Sequence, residues 1–424
     1  MRIAIIGSGI SGLVCGWLLS RKHEITLYEA DSRLGGHTNT VDFTAFDREW
    51  SADTGFMVFN DRTYPNFIRL LDILGVASQP SDMSFSVVNQ ASGLEYQGSS
   101  LNGLFAQRAN LLHPQFLSML REITRFNRLV SNQVSQVTGE AHETLGQFVQ
   151  REGFQKAFVR NYLLPMTAAI WSAPASSVLD FPAKFLFRFF ANHGLLQLRD
   201  RPQWRTISGG ARSYIEKLTA GWADRIRLQS PVRHVSNRAA GVRIEGDAFS
   251  SQDYDAAVLA CHAPDSLGML SEPTTLENEV LSAFEYQSNE AVLHTDVSLL
   301  PSSKRAWASW NYRVTDNREQ PPTVTYDLSR LQKLETPSPV CLTLNPAADI
   351  DQEFVLLRLN YSHPLYTGAA LEAQQRRNAL HKEGRLFYCG AYWGNGFHED
   401  GVNSALAVCK TFGLSLEDGK PRNA

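Results

Sequence analysis

Gly7, Gly9 and Gly12, with an acid at Glu29, have the types and spacing to hold a dinucleotide. Gly7 permits a tight turn, Gly9 lets the backbone approach a pyrophosphate, and Gly12 lets a helix pack close to a strand. Ser8 and Ser11 sit between them. A helix starting here would offer free N–H groups and a positive dipole end to phosphates. Glu29 would accept hydrogen bonds from a ribose 2′-hydroxyl, and an acid at that place disfavours a 2′-phosphate.

Such a site needs a strand before the glycines and a helix after them. Arg2 to Ile6 is a β-branched apolar run that suits a buried parallel strand. Leu13 to Ser20 reads as a helix, and Glu24 to Tyr28 as a second strand ending at Glu29. Residues 101–200 look mainly helical. Residues 225–262 and 290–360 read as strands, among them Arg227-Leu228. Arg385 to Cys389 gives a last strand, followed by a glycine-rich turn and a helix from about Val402. The pattern predicts an α/β fold: a Rossmann-type domain and a second, mixed-sheet substrate domain carrying a helical insert. The expected boundaries are 1–85, 202–270 and 365–424 for the first domain. The second takes 86–201 and 271–364, with the insert at 101–200.

The 424 residues, 43% hydrophobic and 20% charged, suffice for two or three cored domains and exclude disorder, collagen and coiled coil as the main state. A net charge of -3 argues against a nucleic-acid binder. No apolar run is long enough to cross a membrane. The glycines interrupt the N-terminal apolar run, so no signal peptide is expected. Five scattered cysteines without metal-ligand spacing suit buried free thiols in a reducing compartment, hence a cytoplasmic protein with no metal. Leu101 to Arg205 holds 12 Lys/Arg against 6 Asp/Glu. This basic insert is either a surface for anionic membranes or a solvated helical face.

Beyond Glu29 the chain continues through Arg33, Gly35, Gly36 and His37. With the glycine turn, this resembles the extended FAD signature of the flavin amine oxidase and carotenoid desaturase superfamily. There an acid is followed by an arginine and a Gly-Gly pair that wraps the pyrophosphate. His37 stands where many members have arginine, which implies a phosphate contact that is neutral at high pH. Phe387-Tyr388-Cys389-Gly390-Ala391, followed by Asp400-Gly401-Val402, is similar to the C-terminal FAD motif, which brings backbone N–H groups to the flavin. The resemblance also implies adenine contacts at Val232, after Pro231, and re-entry of the chain at Ser208-Gly209-Gly210. Together with Asp53-Thr54-Gly55-Phe56 and Gly390 to Gly401, these motifs resemble a bacterial subfamily of FAD-dependent oxidoreductases associated with cyclopropane fatty-acyl-phospholipid synthase-like enzymes.

That resemblance implies FAD as cofactor and an FAD-dependent oxidoreductase acting on an acyl lipid, with Gly55 among the cofactor residues. It further implies a lipid methyltransferase as partner and a place at the inner membrane face. On the family motif the aromatic position falls on Gly401. That would leave room for a long chain unless Tyr392 or Trp393 swings in. His398 and Glu399 are the acid–base candidates of the same turn, with His294, Tyr326, Tyr361 and Lys304 behind them. Phe181, Phe185, Phe187, Phe189 and Phe190 either line an acyl tunnel or form a core. Arg62 holds either an anionic head group or an ion pair. An amine oxidase, a redox-neutral fatty-acid double-bond isomerase and a flavin-binding scaffold remain the alternatives.

Overall fold

The computed structural model describes residues 1–135, 143–197, 199–315, 321–345, 350–381 and 384–420. Arg2–Ile6 and Glu24–Tyr28 are adjacent parallel strands, joined by the helix Ile10–Leu19, every residue of which is buried. Small residues at Ser11, Gly12, Cys15 and Gly16 let that helix be covered on all sides. The sheet has five parallel strands in the order Ile226–Arg227, Glu24–Tyr28, Arg2–Ile6, Ala256–Leu259, Leu386–Tyr388. It draws on both ends and the middle of the chain. Both of its faces are covered, so its central strands read as unbroken apolar runs.

A seven-stranded sheet has the order Val355–Pro364, Tyr286–His294, Cys341–Leu344, Thr323–Asp327, Trp310–Val314, Phe85–Asn89, Leu94–Gln97. It is antiparallel except where Trp310–Val314 runs parallel to Phe85–Asn89. The α/β class, with one parallel and one mixed sheet, is therefore as expected. A small sheet of Phe59–Asn60, Trp204–Ile207 and Ser78–Pro80 ties the end of the insert back to the N-terminal segment.

The insert is helical, with Pro114–Ser135 and Ala183–Asn192 packed around rings. Phe126 is fully buried and meets Phe148, Phe154, Phe158, Phe187 and Phe190. The phenylalanines of 181–190 are thus mainly core, each worth about 1.5–3 kcal/mol of burial. Only Phe189 of the five reaches the cavity described below. Several element boundaries differ from expectation: the first helix is Ile10–Leu19 and the last strand Leu386–Tyr388. The strand near 227 is Ile226–Arg227, and the last helix is His398–Thr411, starting four residues before Val402. The early start follows from Asp400, whose carboxylate accepts from the Phe397 N–H (3.0 Å) and caps the first turn. No helix among the described residues is long and apolar enough to cross a membrane.

Candidate functional site

One cavity of about 1130 Å³ runs from the glycine turn, between the two large sheets, to the helical insert. The glycine-turn end, the expected dinucleotide end, is walled by Gly7, Ser8, Gly9, Ser11, Glu29, Gly35, Gly36, His37, Gly55, Val232, Gly390 and Ala391. The structure therefore gathers these expected cofactor residues, from both chain ends, on one surface. No side chain caps the helix that begins after Gly9, so its first N–H groups are free toward the cavity. A Cβ at Gly9 would meet nothing within 4 Å, whereas one at Gly12 would lie 2.0 Å from the Gly7 carbonyl oxygen. Gly9 is a matter of access and Gly12 a matter of packing.

The Glu29 carboxylate accepts from the Ser8 N–H (2.9 Å), the Ser8 hydroxyl (2.5 Å) and the Asp31 N–H (2.9 Å). A carboxylate has about four lone-pair sites, so a ribose hydroxyl can still donate to it. Asp53 is buried and accepts from the Thr40 hydroxyl (2.6 Å) and the Ala211 N–H (2.9 Å). Desolvation pushes its carboxyl up to about 6. It fastens the turn at Ser208-Gly209-Gly210 to the strands beside the glycine turn.

Three imidazoles stand where the dinucleotide end meets the seven-stranded sheet. His37 lies 5.4 Å from His363 and 6.1 Å from His262, ring to ring. Burial holds His37 well below 6.5 and His363 at about 4, and it lowers His262 too. All three are neutral at physiological pH. His37 is thus not an arginine equivalent that loses charge only at high pH. Asn345 Nδ2 donates to Asn289 Oδ1 (2.6 Å), and Asn289 Nδ2 faces His363 Nδ1 at 3.0 Å. That order makes Nδ1 the acceptor and leaves the His363 proton on Nε2.

Several expected residues support the wall rather than form it. Arg33 donates to the carbonyls of Gly36 (2.9 Å) and Thr38 (3.4 Å), shaping the Gly-Gly turn from outside. Gly12, Asp400, Gly401 and Val402 lie behind the surface. A Cβ on Gly401 would come within 2.6 Å of Ile10 and 3.1 Å of the Ser11 hydroxyl. The first helix fills the space once reserved for a long substrate. Ser11 Oγ also donates to the Gly401 carbonyl (2.9 Å), joining the first and last helices.

Among the expected catalytic residues, Glu399 is a correction. Its carboxylate accepts from the N–H groups of Asn66 (3.1 Å) and Phe67 (2.8 Å), and so caps the helix Pro65–Leu74. Trp393 is another: it packs on Phe284 and under Arg377, off the wall. His398 touches the cavity, but its ring stacks on Phe56 at 3.4 Å and Nε2 contacts the Thr38 (2.9 Å) and Tyr214 (3.2 Å) hydroxyls. Burial pushes it down to about 3, which suits a brace better than a base. Tyr392 lines the cavity with its hydroxyl buried and without a hydrogen-bond partner among the described residues. His294 pairs with Thr343 (2.8 Å) away from the cavity, and Lys304 sits over Trp307. Arg62 takes the ion-pair reading, with Asp200 at 3.6 Å. Tyr326 and Tyr361 do line the cavity.

The far end is walled by Met83, Phe85, Met166, Ile170, Trp171, Phe189, Trp310, Tyr326, Leu342, Leu344 and Phe397. Phe397 is the ring at the head of the last helix, stacked on Phe189 at 5.3 Å. Among the described residues, the only carboxylates on the whole wall are Glu29 and Asp265, both at the dinucleotide end. Most of the far-end residues carry no local signature. Phe397 alone was findable, as the aromatic between Gly396 and the first helical turn.

Residues 10–311 match the family described as flavin containing amine oxidoreductase. The tryptophan 2-monooxygenase of Allorhizobium ampelinum is 34% identical over 103 residues, which span 24% of this chain and 14% of that protein. Among solved structures, wild-type putrescine oxidase bound to putrescine has a TM-score of 0.69 at 14% identity, covering 97% of this chain and 99% of that one. The CLA-producing fatty acid isomerase from P. acnes has a TM-score of 0.67 at 15% identity, covering 97% and 98%. Cyclohexylamine oxidase from Brevibacterium oxydans IH-35A has 0.67 at 16%, covering 97% and 99%.

Proposed function

The chain belongs to the flavin containing amine oxidoreductase family, and from that premise we propose that it oxidises an acyl lipid by desaturating or otherwise dehydrogenating its chain. It is an FAD-dependent oxidoreductase. The glycine turn, Glu29, Gly35-Gly36, His37 and Gly390-Ala391 would hold the cofactor. When bound, FAD supplies the hydride acceptor. The rest falls to the protein: it orients the chain, excludes water and keeps the imidazoles on the wall neutral.

The observation that carries the acyl reading is the missing carboxylate. A protonated amine entering the far end would leave its hydration shell and find no Asp or Glu among the described residues of that end, the wall's two carboxylates lying at the other. An apolar chain gains at the same surface, at about 25 cal/mol per Å² removed from water. Leu101 (76% exposed) follows the wall residues Gly98 and Ser99 in sequence, and Leu112 (87% exposed) ends the next helical turn. They favour peripheral contact with a membrane that stores the substrate.

The test is anaerobic titration of the yellow protein with fatty acids, phospholipids and amines while flavin absorbance is followed. Bleaching by a lipid, with a new double bond by mass spectrometry, is the expected outcome. A shifted double bond without net bleaching would make the enzyme an isomerase. Bleaching by amines alone would overturn the acyl reading.

A further inference from the structure

Four charged side chains reach the cavity wall: Glu29, Arg201, Arg233 and Asp265. Three have a polar side chain beside them. Glu29 is held by Ser8, Arg233 by Asp247 (2.7 Å), and Asp265 faces His262 (3.5 Å). Arg201 is different. Its Nε donates to the Gln197 carbonyl (2.7 Å), and no carboxylate lies within ion-pair distance among the described residues. It is exposed and belongs to the insert side of the cavity, with Pro202, Gln203 and Trp204.

Tyr162 shares that wall. It lies in a π turn, Val159–Leu163, just ahead of Pro165, whose missing N–H relaxes the helical ladder there. Its hydroxyl has no hydrogen-bond partner among the described residues. Burial raises the phenol to about 12 although the Arg201 cation pulls it down, so it remains an O–H donor at neutral pH.

We propose that Arg201, with Tyr162 beside it, takes the anionic head of an otherwise apolar substrate, a carboxylate or a phosphodiester. The guanidinium offers two parallel N–H donors to such an oxyanion. Because Arg201 is exposed, the head keeps part of its hydration while the tail enters the ring-lined end. The distance from head to dinucleotide end then selects which carbon of the chain is presented. The inference rests on the acyl-substrate reading.

The test is equilibrium titration of the flavin-loaded protein with oleate, oleyl alcohol and oleoyl-lysophosphatidylglycerol, read as a perturbation of the flavin spectrum. Oleate or the lysolipid should bind more tightly than the alcohol by about tenfold or more. The better of the two anions identifies the head as carboxylate or phosphodiester. Arg201→Gln should erase that preference and leave the alcohol's binding unchanged, which also shows the variant is folded. Arg201→Lys should restore part of it. If the alcohol binds as well as both anions, or if Arg201→Gln keeps the preference, the role of Arg201 is overturned while the acyl reading stands. If none of the three perturbs the flavin, the acyl reading falls first.

Discussion

The two ends of the cavity are built from opposite materials. At the dinucleotide end the wall is largely backbone, glycines and a free helix N-terminus, with the carboxylates of Glu29 and Asp265, drawn mainly from the N-terminal segment and from Gly390-Ala391. At the far end the wall is side chain: rings and aliphatic groups from the insert, the seven-stranded sheet and the head of the last helix. Backbone can approach a phosphate closely and with fixed geometry, which suits an invariant ligand. Rings bury area and define shape, which suits a variable one. Variation at the far end should therefore change stability and substrate preference, and variation at the near end should change cofactor retention.

The sharpest challenge to that division is Trp171, 4% exposed, with its indole N–H donating to the Asn395 carbonyl (3.1 Å). Trp171→Ala should cost about 3–5 kcal/mol in urea unfolding. Flavin content per folded chain should stay whole, and its loss would show that the two ends cannot be separated. Next in size is Glu29→Ala, which should weaken FAD binding by about 1.5–3 kcal/mol. Equilibrium dialysis measures it, and unchanged affinity would remove Glu29 from the site.

The seam between the ends can be probed with pH. His37, His262 and His363 have folded values below 6.5, and His363 is at about 4. Below 6.5 the unfolded chain binds more protons than the folded one. Stability is therefore present above 6.5 and lost as pH falls toward 4, by up to about 1.4 kcal/mol per pH unit for each group. Asp265 beside His262 softens the effect. Other buried histidines add to this loss and the raised carboxyls of Asp53 and Asp400 oppose it, so the check is a difference: between neutral pH and about 5, His363→Gln should lose less stability than the unaltered protein in thermal melts. The smallest effect belongs to Glu399→Ala, at about 1 kcal/mol for a lost helix cap. Unaltered kcat in the folded variant would fit a capping carboxylate, and a loss of several orders of magnitude would return Glu399 to catalysis.

The near end was legible because its constraints are local. Gly7, Gly9, Gly12 and Glu29 fall within one strand–helix–strand unit, and each glycine answers one steric demand. Residues whose role depends on distant neighbours were misread. Nothing near Glu399 announces that Asn66 and Phe67 will arrive at its carboxylate, and nothing near Gly401 announces Ile10. His398 looked like a base because its chemistry permits it, until Phe56 and Thr38 enclosed it. The phenylalanines of 181–190 were ambiguous since core and tunnel share one composition. Only the position of Phe126 decides between them.

The bond from Ser11 to Gly401, with the strand Leu386–Tyr388 on the sheet edge, has a consequence for biosynthesis. Nearly four hundred residues separate the two halves of the cofactor berth. A nascent chain emerging from the ribosome displays the glycine turn early, yet cannot close it until translation has passed Thr411. Flavin capture therefore waits on synthesis and docking of the last strand and helix.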